Sequence, residues 1–135
     1  LKLKYELAFL AMAQEFAKTS EAKRLKVGAL LVKDDAVISI GCNGTPSGWH
    51  TNDCEGLDGL TLPVVRHAEI NALNKLRRLP STSTGATMFC THACCLNCAI
   101  DIVDAGVSKF FYRETYREEN GLEYLRKHSV EVKQL

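Results

Sequence analysis

Along this chain the spacing of apolar residues alternates between a helical period and short β-rich runs, and the order of those switches admits few architectures. Tyr5, Phe9, Met12 and Phe16 recur at helical spacing, and Leu7 and Leu10 widen the stripe. This predicts an amphipathic helix from Leu3 to Lys18, broad enough to pack on a sheet and still meet a neighbouring subunit. VGALLVK (Val27 to Lys33) and AVISIG (Ala36 to Gly41), separated by Asp34 and Asp35, read as a hairpin. Ile70, Leu73 and Leu76 mark a helix from His67 to Leu79 that Pro80 ends, and ATMFCT (Ala86 to Thr91) is a buried strand. Ala99, Ile100 and Val103 mark the next helix, closed by Gly106 as a left-handed cap. KFFY (Lys109 to Tyr112) is a strand, Gly121 to Lys127 a short helix, and VEVKQ (Val130 to Gln134) an alternating edge strand. The order α-β-β-α-β-α-β-α-β predicts a three-layer α/β domain with a mixed five-stranded sheet.

With 135 residues, 46% of them hydrophobic, the chain can bury its apolar surface as a single domain, residues 1–135, without a linker or repeat. A net charge of +1 gives no general pull toward polyanions, so extended nucleic-acid binding is not expected. No apolar run is long enough to span a bilayer, and the first stretch is charged and helix-patterned rather than signal-like. Six cysteines, four of them between Cys90 and Cys98, suit a reduced metal site better than a disulfide framework, so a cytoplasmic location is expected, in the host cytoplasm for a viral protein. From Cys42 to Pro63 the chain is rich in Gly, Thr, Ser, Asn and Asp and keeps no period, which reads as a long loop of the kind that covers sites.

Two segments carry metal-site chemistry. VVRHAEINAL (Val64 to Leu73) places Glu69 two residues after His67, and CTHACCLNCA (Cys90 to Ala99) places Cys98 three positions after Cys95. All three candidate ligands fall at predicted helix N-termini, where unpaired N–H groups and the helix dipole favour thiolates. Cys95 and Cys98 on one helical turn share a face and can fill two corners of a tetrahedron. With His67 they make three protein ligands, which leaves a fourth position open and marks a catalytic zinc rather than a closed structural one. Glu69 is then the proton carrier. Cys90 reads as a small core residue. His92, just before the site, is a substrate contact or an ordinary loop histidine.

H-x-E followed by C-x-x-C resembles the signature of the zinc-dependent nucleobase deaminases. GCNGTPSG (Gly41 to Gly48), HAEINAL and YRETY (Tyr112 to Tyr116) look like deoxycytidylate (dCMP) deaminases, particularly phage and viral ones. The resemblance implies a cytidine-deaminase-like α-β-α fold and hydrolysis of dCMP to dUMP by a zinc-activated water with Glu69 as proton shuttle, feeding thymidylate synthesis. It offers dCTP as a further substrate, dCTP and dTTP as regulators, and a homo-oligomer, most often a hexamer. It also points to Asn43, Gly44, Ala68 and Tyr116 around the nucleotide, Tyr116 as a base or lid contact or as a core tyrosine. Arg24 and Lys26, before the first strand, are candidates for its phosphate, as are Lys75, Arg77 and Arg78.

This sequence departs from the family pattern in three places. Cys94 stands where proline usually precedes the first ligand cysteine, and Cys42 replaces an aromatic residue. Ala22 and Asp53 stand near positions where relatives carry extra zinc-binding cysteines, leaving only His50 and Cys54, so one zinc is expected and not a second. Two other readings compete. One is a deaminase of tRNA adenosine or single-stranded DNA cytosine; the other is a non-catalytic module in which Cys94 joins His67, Cys95 and Cys98 to close the metal.

Overall fold

The computed structural model describes residues 1–135. Its elements are α1 (Leu3–Ala17), β1 (Gly28–Lys33), β2 (Ala36–Cys42), α2 (Ala68–Leu76), β3 (Thr87–His92), α3 (Leu96–Asp104), β4 (Lys109–Glu114), α4 (Asn120–Lys127) and β5 (Glu131–Gln134). This is the order the sequence pattern predicts. The strands form one mixed five-stranded sheet in the order β2-β1-β3-β4-β5. β1 is antiparallel to β2 and β3, while β3, β4 and β5 run parallel. No helix is long and apolar enough to cross a membrane.

The period of two along each strand sorts side chains onto two faces. Ala29, Leu31, Met88, Cys90, Phe110 and Tyr112 pack under α2, α3 and α4, whereas Leu30, Val32, Phe89 and Phe111 pack under α1. β1 and β2 meet in a two-residue turn in which Asp34 and Asp35 have φ of 51° and 62°, the positive values a right-twisted hairpin requires. Further along the pair, Leu31 faces Ser39 but Val32 faces Val37, so Ile38 is an inserted bulge residue. The bulge explains why Ile38 joins the α2 side and Ile40 the α1 side although they are two residues apart.

The first helix differs from the predicted stripe. Glu6, Leu10, Ala13 and Ala17 face the sheet, with Phe9 partly buried against Phe89, while Leu3, Tyr5, Leu7 and Met12 are exposed. The reason is distance. α1 lies so close to β1 that a Cβ on Gly28 would collide with the Ala13 carbonyl, so only small residues fit at the closest approach and large ones rotate outward. Glu6 is buried because Lys133 Nζ on β5 donates to its carboxylate at 2.8 Å. α2 also stops earlier than predicted: Arg77, Arg78 and Leu79 bond three residues back, tightening the final turn before Pro80. Gly106 has φ of +77°, the left-handed cap expected after α3.

Candidate active site

Two helix N-termini converge on the α2–α3 side of the sheet. His67 is the residue before α2 and Cys95 the residue before α3; both have extended backbone, and neither side chain caps its helix. Those side chains are therefore free to meet each other. His67 Nδ1 lies 3.2 Å from Cys98 Sγ and 3.5 Å from Cys95 Sγ, and the three donor atoms all fall within 4.8 Å of one another. Tetrahedral zinc with ordinary Zn–N and Zn–S lengths places its donors about 3.5–3.8 Å apart. One nitrogen and two sulfurs at this spacing fit a zinc ion. Cys94, fully buried, is not in the group.

Close backbone contacts fix both helix starts. A Cβ on Gly41 of β2 would come within 2.6 Å of Ala72 N and 2.7 Å of Ala68 O, so glycine lets α2 press onto the sheet beside His67. A Cβ on Gly121 of α4 would lie 2.9 Å from both the carbonyl carbon and oxygen of Cys95 and nearer still to Cys94 O. Glycine here lets α4 brace the cysteine loop. The Gly44–Arg66 bridge, with N···O distances of 3.1 and 2.8 Å, ties the long loop down just ahead of His67.

The ionisation pattern follows from this crowding. The Cys95 thiol is held down to about 4, chiefly by the hydrogen bond from Cys98 and then by His67. Cys98 is pushed up, first by that same bond and then by burial, so the shared proton stays on Cys98. His67 is raised mainly by its hydrogen bond with Cys95. Glu69, only 4% exposed on the first turn of α2, is raised by burial. Burial likewise keeps Cys94 a neutral thiol.

A cavity of about 470 Å³ opens beside these groups, a size typical of small-molecule sites. His67, Glu69, Cys95, Ala68, Asn43, Arg24 and Tyr116 all line it. Five other residues singled out in the sequence for the nucleotide, Lys26, Gly44, Lys75, Arg77 and Arg78, do not. Lys26 is exposed away from it, and Gly44 lines a separate depression with Lys75, Arg77 and Arg78. Lys75 there donates to Ile40 O at 2.6 Å. Asn43 turns its amide to the protein: Oδ1 accepts from Val27 N at 2.9 Å and Nδ2 donates to Leu25 O at 2.8 Å. It thereby pins the segment that carries Arg24. Tyr116 is half-buried, with the Arg117 guanidinium 5.7 Å from its ring centre. Thr115, Arg117 and Glu55 also reach the cavity. The sequence singles out none of them individually; Thr115 falls within the YRETY segment, while Arg117 and Glu55 carry no signal beyond a place just after a strand or within a long loop. His92 stands on the wall as well.

Comparison with known proteins agrees with this geometry. Residues 4–114 match the family model of the cytidine and deoxycytidylate deaminase zinc-binding region. A dCMP deaminase from the cyanophage S-TIM5, solved in complex with dCMP and dUMP, superposes with a TM-score of 0.98 at 43% identity, covering 100% of this chain and 99% of that one. ComE operon protein 2 of Bacillus subtilis is 31% identical over 86% of this chain and 62% of its own length. The deoxycytidylate deaminase of Saccharomyces cerevisiae is 31% identical over 93% of this chain and 43% of its own length. The chain thus spans about half the length of these two curated relatives. By its matching residues, its donor triad and its three-layer mixed sheet, the chain belongs to the cytidine and deoxycytidylate deaminase family and has the cytidine-deaminase-like fold.

Proposed function

We propose that this chain hydrolyses dCMP to dUMP and ammonia, with zinc held by His67, Cys95 and Cys98 and with Glu69 as the proton carrier. The observation that carries the reading is Glu69: a buried carboxylate two residues from a ligand, outside the donor set, opening on the same cavity. A closed structural zinc has no use for such a group. Zinc, when bound, supplies Lewis-acid polarisation of water and of the developing charge. Glu69 accepts the proton released from that water, passes one to the ring nitrogen and delivers one to the departing amine. The C–O bond forms at the ring carbon as the ring nitrogen is protonated, and the exocyclic C–N bond breaks afterwards as ammonia leaves and the C=O forms. Burial raises the Glu69 carboxyl above its ordinary value, which makes its carboxylate a stronger base for the proton it accepts.

The rest of the chain supports a nucleotide rather than a polymer. Arg24 is exposed at the cavity without a carboxylate partner and offers a cation to a phosphate. Asn43 orders the segment that presents it, and Ala68 leaves room beside the metal ligands. The S-TIM5 relative, named as a dCMP deaminase and solved with dCMP and dUMP, supports the same substrate. In this reading residues 1–135 act as a single catalytic domain. The depression with Gly44, Arg77 and Arg78 takes the regulatory dCTP or dTTP, and the exposed Leu3, Tyr5, Leu7 and Met12 face a neighbouring protomer of a hexamer. The product supplies thymidylate synthesis.

The test is ammonia release by the zinc-loaded protein on dCMP, dCTP, deoxycytidine and a cytosine-containing oligonucleotide, with and without dCTP or dTTP as effector. Turnover of dCMP above the others is the expected result. Preference for the oligonucleotide overturns the substrate, and no turnover on any overturns the catalytic reading.

A further inference from the structure

His92 ends β3 on the cavity wall with one ring nitrogen already engaged. Its Nδ1 lies 2.8 Å from Thr91 Oγ1, and that oxygen lies 3.1 Å from the backbone nitrogen of Gly28. Counting donors decides the direction of both bonds. A backbone N–H can only donate, so Thr91 Oγ1 accepts from Gly28. Thr91 is buried, and the one acceptor left within reach of its hydroxyl proton is His92 Nδ1. Nδ1 therefore receives a hydrogen bond and carries no proton. In the neutral ring the proton then sits on Nε2. Burial holds the ring's pKa below that of an ordinary histidine, so the neutral form prevails near pH 7. Nε2 has no hydrogen-bond partner within the protein, and the ring carrying it lines the cavity.

We propose that His92 is a substrate-binding residue, locked by the Gly28–Thr91 relay so that Nε2–H is offered to an oxygen acceptor of the nucleotide. The proposal rests on the deaminase reading above. It separates the roles of two neighbouring residues: Thr91 makes no contact with substrate and acts by fixing the tautomer, and His92 makes the contact.

The experiment combines a spectroscopic and a kinetic readout on the zinc-loaded protein. Nitrogen-15 NMR of the histidine rings is expected to show His92 as the Nε2–H tautomer, and Thr91→Val to release that preference. His92→Gln keeps an N–H near the Nε2 position, whereas His92→Asn moves it to the Nδ1 position. Loss of one neutral hydrogen bond corresponds to about a tenfold rise in KM, so His92→Asn should show that rise with kcat little changed. His92→Gln should restore most of it. A rise on dCMP alone assigns the acceptor to the phosphate, and an equal rise on deoxycytidine assigns it to the sugar or base. An Nδ1–H tautomer in the wild type, or wild-type kinetics for His92→Asn on both substrates, overturns the proposal alone. Absence of turnover by the wild type overturns the deaminase reading and the proposal with it.

Discussion

Gly121→Ala tests whether α4 positions the zinc-binding loop. The added Cβ would lie 2.9 Å from the Cys95 carbonyl carbon and oxygen, where ordinary contact begins at 3.4 Å, so at least 0.5 Å must be yielded. The overlap with Cys94 O is larger. Metal–ligand distances tolerate only about 0.2 Å. If the loop gives way, Cys95 leaves its place relative to His67 and Cys98, and zinc affinity should fall by about 10- to 100-fold, the usual effect of disturbing the groups that support metal ligands. Stability is a poorer readout because its two contributions oppose. Overpacking costs about 1–3 kcal/mol, while alanine in a helix is favoured over glycine by about 1 kcal/mol. The assay is competition for zinc against a chromophoric chelator, with denaturant unfolding of the metal-free protein beside it. Unchanged zinc affinity with reduced stability would show that α4 moves outward instead, refuting the idea that its contact sets Cys95.

Glu69→Gln should keep its zinc, measured by metal analysis, and lose about 10²- to 10⁴-fold in ammonia release, the range for a positioned proton carrier. Burial raises the folded pKa of Glu69 above its ordinary 4.5, so the stability tied to its neutral form is complete below that value and is lost as pH rises through the folded pKa. Thermal melts should therefore show the metal-free Gln variant gaining on metal-free wild type as pH rises and converging with it in acid; a constant gap would contradict this. Cys94→Ala should retain zinc at a stability cost of about 1 kcal/mol, and loss of the metal would mean that the wrong thiols were assigned. Asn43→Ala leaves Val27 N–H without its side-chain acceptor and should cost about 1–3 kcal/mol by denaturant unfolding. No measurable loss would show that the amide does not pin the Arg24 segment.

The element order was legible because each element carries its own period, and the donor triad because its spacing is local to two helix starts. What escaped depends on partners far along the chain. The apolar face of α1 reads as one to be shared between the sheet and a neighbour, but the division is set by contact: the sheet accepts Ala13 and Ala17 at its closest approach and turns Tyr5 and Met12 outward. Nothing local marks Glu6 for burial, because its cation lies 127 residues away. Asn43 lines the cavity as a nucleotide contact would, but the second task of its amide, bonding Leu25 and Val27, exists only once the loop has folded back over β1. Arg117 reaches the cavity from just beyond β4, one residue past the YRETY segment, at a position that no local pattern marks.

The Glu6–Lys133 pair gives the domain a latch between its first helix and its last strand. Leu135 packs into the same cluster as Leu10 and Phe89, and its carbonyl accepts from Arg113 at 2.8 Å. β5 is held on its other edge by nothing, so it depends on β4 beside it, on α4 packed against it and on the Lys133 link to α1. If β5 peels away, Glu6 loses its cation and is left as a buried, unpaired charge, a cost that falls on α1. The opening and closing segments of the chain should thus unfold as one cooperative unit. That event also reaches the metal-binding face, because Val132 of β5 packs against the core cluster that holds Cys94 and Cys98.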